Sequence, residues 1–126
     1  MITRKSVLLI QNDIKAVAEY TEKCVESGVS ERNIFAVSDA ESAERYLEIA
    51  GISHVIVDAN LYNFMVASIV EKFSEYFPIQ TIITDAKPEQ KTLRMLSDKS
   101  LTYVNAPEEL PMAILGQYPK VANYGS

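Results

Sequence analysis

The sequence predicts a doubly wound α/β fold, with helices on both faces of a five-stranded parallel sheet. Short, continuous apolar runs, typical of strands buried on both faces, recur five times along the chain. Longer segments of helical periodicity separate these runs, and such alternation favours parallel strands joined by crossover helices. The 126 residues suffice for one compact domain and are few for two.

The first half of the chain contains three predicted strands and two predicted helices. The strands are the apolar runs Ser6–Ile10, Asn33–Val37 and Ser53–Asp58. Helical spacing predicts a first helix over Ile14–Ser27, which Gly28 ends. Its predicted inner face consists of Ile14, Val17, Ala18, Thr21, Cys24 and Val25. The second helix, capped by Ser38 or Asp39 and ended by Gly51, is predicted to pack through Ala43, Tyr46, Leu47 and Ala50.

The second half of the chain continues the same alternation. A third helix is predicted from about Asn63 to Tyr76, and strand four follows at Gln80–Thr84. Pro88 fits the first turn of a fourth helix, where a missing N–H leaves no hydrogen bond unmade. Strand five is predicted at Leu101–Asn105, and a last helix from Pro107 through Leu115 has acidic residues in its first turn, as the helix dipole favours.

Composition narrows the classes of function. The formal net charge is −5 and basic residues do not cluster beyond Arg4-Lys5, so direct nucleic-acid binding is not expected. No apolar stretch is long enough to span a bilayer and no signal peptide is evident, so a cytoplasmic protein without membrane contact is expected. The single cysteine, Cys24, and the single histidine, His54, cannot build a zinc site and are interpreted as packing residues.

Polar residues end several of the predicted strands, and the carboxyl ends of parallel strands meet at one edge of a sheet. Asp58 closes strand three, which places a lone carboxylate at the edge where α/β proteins bind ligands. Gln11-Asn12-Asp13 follows strand one, Thr84 ends strand four, and Tyr103 lies in strand five. An ordinary structural role remains open for each residue: a cap for Asp58, a strand former for Thr84 and a core aromatic for Tyr103. A flavin- or nucleotide-binding site is disfavoured, because the four glycines stand alone and form no phosphate loop.

Three segments resemble the receiver domain of bacterial response regulators. They are Val57-Asp58-Ala59-Asn60-Leu61, Ile82-Ile83-Thr84 and Tyr103-Val104-Asn105-Ala106-Pro107. The resemblance covers the chain from about Lys5 to Leu115 and rests more on the order of elements than on strict motifs. It implies a flavodoxin-like fold with the strand order 2-1-3-4-5 and a signalling domain of a two-component system, not an enzyme. It further implies that Asp58 is the phosphoacceptor, that Thr84 supplies the hydroxyl that binds the phosphoryl group, and that Tyr103 is the aromatic residue that moves with it.

The departures from the family pattern concern charge. The acidic pair that holds Mg²⁺ in the family is replaced by Gln11 and Asn12, so any Mg²⁺ site, formed by Asp13, Asp58 and Asn60, is expected to be weak. The family lysine is replaced by Ala106 or, with a shift of one residue, by Asn105. The proline that usually follows the strand-three aspartate is replaced by Tyr62. Two hypotheses therefore remain open: a divergent receiver that is phosphorylated on Asp58, and a pseudo-receiver that acts as a protein-interaction module without phosphorylation.

The resemblance also implies the boundaries of the domain and its partners. A receiver-like domain is expected over residues 1–118, followed by a tail or the start of a linker at residues 119–126. The expected partner is a histidine kinase or another signalling protein, and a homodimer through the surface of helix four, strand five and helix five is a further expectation. The residues predicted on that surface are Lys91, Arg94, Met95, Tyr103 and the segment Glu108–Met112.

Overall fold

The computed structural model describes residues 5–85 and 101–116, and it confirms the predicted sheet. Five parallel strands lie in the order 2-1-3-4-5. They are β1 (Val7–Ile10), β2 (Ile34–Val37), β3 (His54–Asp58), β4 (Gln80–Thr84) and β5 (Leu101–Val104). Each strand falls inside its predicted run, because a continuous apolar run marks a strand that is covered on both faces. Predictions for the fourth helix at Pro88, for Lys91, Arg94 and Met95, and for the tail at residues 119–126 lie outside the described residues.

Three helices connect the first four strands, and a shorter one follows β5. They are α1 (Ile14–Glu26), α2 (Ala40–Ile49), α3 (Phe64–Ser74) and the final helix (Leu110–Ile114). The side chains of Asp13, Asp39 and Asn63 cap the first three by accepting first-turn N–H groups at 3.2, 2.7 and 2.9 Å. These caps satisfy backbone donors that have no partner within a helix, and they fix where each helix begins.

The strands divide the core into two layers, because successive side chains of a strand point to opposite faces. One layer packs beneath α2 and α3 and contains Leu8, Ile10, Val55, Val57, Leu47, Val66 and Val70. The other packs beneath α1 and the final helix and contains Val7, Leu9, Ile56, Tyr20, Cys24 and Leu110. The Cys24 thiol is completely buried, and burial raises its pKa to about 12. Cys24 is thus a packing residue, as expected.

The predicted inner face of the first helix is wrong in part. Ile14 is 86% exposed and Val25 45% exposed, whereas Tyr20 and Cys24 are buried. The buried stripe runs through Tyr20 and Cys24, with Ala16 and Val17 packed beside them. The buried face of α1 was predicted from apolar residue types alone, and Tyr20 was left out of it. Tyrosine combines a large apolar ring with a hydroxyl, so it occurs both in cores and at surfaces.

The last predicted helix begins as a turn. Pro107–Glu109 forms a single 3₁₀ turn, and the α-helix proper begins at Leu110. The Glu109 carboxylate accepts the backbone N–H groups of Asn105 at 2.7 Å and Ala106 at 3.0 Å. These two hydrogen bonds hold the connection between β5 and the final helix. They place an acid beside Asn105 and Ala106, the two positions that correspond to the family lysine.

His54 lies at the opposite end of the sheet from the candidate site. Its Nδ1 is 2.8 Å from the Ser53 hydroxyl, and the residue is buried against the final helix. This placement agrees with the interpretation of His54 as a packing residue. No helix in the described part of the chain is both long and apolar enough to cross a bilayer.

Candidate functional site

The register of the sheet brings three candidate residues to one edge. Ile10 of β1 pairs with Val57 of β3, so the residues that follow them, Gln11 and Asp58, stand side by side. Asp58 in turn pairs with Thr84 of β4. The predicted meeting of these residues at the carboxyl edge is therefore found in the structure, and it follows from parallel pairing of strands that end together.

Asp58 is partly exposed at the edge, and neutral donors engage both oxygens of its carboxylate. Oδ1 accepts the backbone N–H of Asn60 at 2.8 Å, which forms the turn after β3. Oδ2 accepts an N–H of the Gln11 side chain, from Nε2, at 3.3 Å. The other end of that amide is also fixed, because Gln11 Oε1 accepts the backbone N–H groups of Asn12 and Asp13 at 3.0 and 3.2 Å. The amide group is therefore held with its nitrogen, and not its oxygen, toward Asp58.

The orientation of the Gln11 amide does not suit Mg²⁺, which takes oxygen ligands in octahedral geometry. At the position where the family places an acid, Gln11 directs an N–H toward Asp58. Asp13 Oδ1 caps α1 by accepting the Lys15 N–H at 3.2 Å. The backbone N–H of Asn60 donates to Asp58, so a second N–H group faces this carboxylate. Within residues 5–85 and 101–116, no group of three or more His, Cys, Asp or Glu side chains could hold a metal ion.

Among the described residues, no lysine or arginine forms an ion pair with Asp58. The three ion pairs found there are Lys23–Glu26, Arg45–Glu41 and Lys72–Glu44, and none includes Asp58. At the strand-five loop, the N–H groups of Asn105 and Ala106 bind the Glu109 carboxylate. The charged side chain bound to that loop, Glu109, is therefore negative, whereas the family has a positive lysine there.

Thr84 and Tyr103 lie on opposite faces of the sheet. Thr84 is buried and shares its face with Ile82, beneath α1 and the final helix. Tyr103 is 4% exposed and packs in the layer beneath α2 and α3. It does not form part of an exposed surface, contrary to the prediction for the partner interface. Tyr62, at the position of the family proline, is buried in the same layer as Tyr103.

Tyr20 is a site residue that the sequence analysis missed. Its hydroxyl donates to Asp85 Oδ2 at 3.2 Å, directly after β4. Burial, followed by the negative charge of Asp85, raises the pKa of Tyr20 far above its usual range, and the adjacent Thr84 hydroxyl lowers it. The spacing of Ala16, Tyr20 and Cys24, four residues apart, was the one signal that could have placed Tyr20 on the inner face.

Comparison with known proteins places the fold among receiver domains. The structure superposes with a TM-score of 0.68 on a CheY-like response regulator receiver domain protein from Methanospirillum hungatei JF-1, covering 91% of this chain and 94% of that chain at 15% identity. It superposes with a TM-score of 0.67 on the signal receiver domain of a protein assigned as a Luxo repressor from Vibrio parahaemolyticus, covering 91% and 90% at 15% identity. No protein-family model and no curated protein matches the sequence.

The chain thus has the flavodoxin-like fold of CheY-like receiver domains. The resemblance stated from the sequence is confirmed at the level of the fold. The roles of Asp58, Thr84 and Tyr103 in phosphoryl transfer, and of Asp13, Asp58 and Asn60 in metal binding, stay predictions.

Proposed function

We propose that this domain is a receiver-type signalling module whose output does not require phosphorylation of Asp58. It acts as a pseudo-receiver, through contacts with other proteins and not through catalysis. The observation that carries this proposal is the 3.3 Å contact between Gln11 Nε2 and Asp58 Oδ2, in which an amide donor faces the carboxylate where receivers place an acid. The receiver fold of the similar structures supports the signalling class.

Phosphoryl transfer to a carboxylate depends on neutralising charge. A phosphoryl group adds about 1.5–2 negative charges, and metal ions and cationic side chains commonly offset them. Around Asp58 the described donors are one amide and one backbone N–H, both of them neutral. A hydrogen bond to a charged group contributes about 1.5–3 kcal/mol, so the lack of the family lysine alone disfavours a phosphorylated, active state by about tenfold or more.

A phosphorylated receiver is the second candidate, and one observation favours it. Asp58 remains partly exposed at the carboxyl edge of the sheet, and Thr84 pairs with it on the neighbouring strand. The nucleophile and the hydroxyl that the family uses are therefore retained in register. In that case a histidine kinase is the expected source of the phosphoryl group.

The partner of the pseudo-receiver is expected to be a signalling protein or a second copy of the domain. On the described part of the predicted interface, Glu108 is exposed and Met112 is 46% exposed, whereas Leu110 is buried. A mixed surface of acid and methionine suits a protein contact. Binding through this surface should survive Asp58→Ala, because the surface and Asp58 share no described hydrogen bond.

Intact mass spectrometry after incubation with a small acyl phosphate and Mg²⁺ tests the proposal. The parent protein is expected to show no phosphoryl adduct. A repaired variant, Gln11→Asp, Asn12→Asp and Ala106→Lys, should show one, because two carboxylates rebuild an ion site and an ammonium offsets the phosphoryl charge. Adding Asp58→Ala to the repaired variant should remove it.

Two results would contradict the proposal. An adduct on the parent that Asp58→Ala removes would establish the phosphorylated receiver instead. A repaired variant that folds but takes up no more phosphate than the parent would show that the charge pattern around Asp58 is not what prevents the reaction.

A further inference from the structure

The phenol of Tyr20 is a buried polar group that the proposed function does not use. Its side chain reaches from α1 to the end of β4, and the residue is only 2% exposed. The hydroxyl donates to Asp85 Oδ2 at 3.2 Å. Because burial and the charge of Asp85 disfavour its ionisation, Tyr20 remains a neutral donor throughout the physiological pH range.

Asp85 receives this bond in an unusual backbone conformation. Its φ of 59° lies in the left-handed region, and no other non-glycine residue in the described ranges has a positive φ. Such a conformation costs an L-residue free energy and persists where the surroundings hold it. Two hydrogen bonds to other described residues hold Asp85: its carboxylate accepts from Tyr20, and its backbone N–H donates to the Val104 carbonyl at 3.2 Å.

Thr84 directly precedes Asp85 in the chain and pairs with Asp58 of the neighbouring strand. Its buried side chain lies on the face of the sheet that α1 covers, the face of the layer that contains Tyr20. The two oxygens of Asp58 accept from Gln11 and Asn60 instead. The described hydrogen bonds of the Asp58 carboxylate therefore do not include the hydroxyl of Thr84, whose side chain lies on the face beneath α1.

We propose that Tyr20 is a positioning residue that holds the end of β4 in one conformation: its phenol keeps Asp85 left-handed and Thr84 turned toward α1. The state of the β4 end is then set by a contact with α1 and not by what is attached to Asp58. This inference goes beyond the proposed function and does not depend on it, because it holds whether or not Asp58 accepts a phosphoryl group.

The hydroxyl and the ring of Tyr20 make separable contributions. Removing the hydroxyl leaves the ring packed, and water can solvate the exposed Asp85 carboxylate in its place. Loss of the hydroxyl should therefore change the conformation at Thr84 and Asp85, and it should lower the free energy of unfolding of the whole domain only slightly. A purely structural role for Tyr20 would produce the opposite pattern.

NMR of the full chain carrying Tyr20→Phe tests the proposal. Amide hydrogen exchange at Asp85 is expected to accelerate by about fivefold, the size expected for one hydrogen bond. The backbone carbon shifts of Asp85 should move away from left-handed values, and the Thr84 resonances should shift. The matched control is Tyr46→Phe, since the Tyr46 ring stacks on Phe35 with centroids 5.0 Å apart and lies far from Asp85 on the other face.

A second variant isolates the bond. Asp85→Ala, at an exposed position, removes the acceptor and should shift the Thr84 and Tyr20 resonances by itself. In the Asp85→Ala background, Tyr20→Phe should change exchange at residue 85 by less than about twofold, because the two changes remove the same interaction.

Unchanged exchange at Asp85 and unchanged Thr84 resonances in folded Tyr20→Phe would overturn the proposal. An equal effect of Tyr20→Phe with and without the Asp85 carboxylate would also overturn it. So would changes of similar size throughout the layer around Cys24 and Leu110, because they would identify Tyr20 as a packing residue only.

Discussion

Replacing Gln11 with glutamate turns the amide that faces Asp58 into a second carboxylate of nearly the same shape. The contact of 3.3 Å between Gln11 Nε2 and Asp58 Oδ2 then becomes a contact between two acidic oxygens. Gln11 is 5% exposed, so the new charge has little access to water. Gln11→Glu is therefore expected to destabilise the domain at neutral pH.

The size of the effect follows from charge repulsion. Two unit charges about 4 Å apart at an effective dielectric of about 20 repel by about 4 kcal/mol. The pair can avoid this cost by retaining one proton, and keeping a glutamic acid of pKa about 4.3 protonated at about pH 7 costs about 3.7 kcal/mol. Because Asp58 is partly exposed, screening reduces both values, and we expect a loss of about 2 kcal/mol.

Urea unfolding of Gln11→Glu and the parent at several pH values measures this loss. The pair binds its proton more tightly when folded than when unfolded, so the penalty is small below about pH 4 and grows as the pH rises. In an Asp58→Asn background the same substitution should cost much less, since the second charge is gone. Millimolar Mg²⁺ should restore stability to Gln11→Glu more than to the parent, because two carboxylates form a cation site that the parent lacks.

The reasoning fails if Gln11→Glu loses the same stability with and without the Asp58 carboxylate. The cost would then come from burial of the new acid alone. A variant as stable as the parent at neutral pH would show that the Gln11 side chain does not face Asp58 in solution.

Two further predictions concern packing against the final helix. Burial, with a smaller effect of Lys5, lowers the pKa of His54, so the unfolded chain binds a proton first as the pH falls below about 6.5. The free energy of unfolding should keep its full value above that pH and fall below it by at most about 1.4 kcal/mol per pH unit. Urea midpoints measured at several pH values should show this fall, and His54→Gln should remove it. Leu110→Ala should cost about 2–5 kcal/mol because Leu110 is fully buried, whereas Met112→Ala, at a residue 46% exposed, should cost below about 1 kcal/mol. Equal urea midpoints for these two variants would contradict the described packing of the final helix.

The sequence by itself determined the architecture and the place of the site. Apolar runs between amphipathic segments were enough to predict five parallel strands, because a sheet covered on both faces needs apolar side chains in both directions. The order of the strands came from the resemblance to receiver domains. The carboxyl ends of such strands meet at one edge, so Gln11, Asp58 and Thr84 could be assigned to one site before their distances were known. Residue types alone also showed that the site lacks the family's acids and lysine.

Only the tertiary structure decided how the side chains in that site face one another. An amide can present either its oxygen or its nitrogen, and the backbone N–H groups of Asn12 and Asp13 select the orientation in which Gln11 donates to Asp58. Successive side chains of a helix point about 100° apart around its axis. An error of one position in the predicted apolar stripe therefore exchanges a surface residue for a buried one, and Tyr20 was missed for this reason. Its bond to Asp85 joins residues 65 positions apart, and the local sequence pattern carries no information about a contact that forms only when α1 packs across the end of β4.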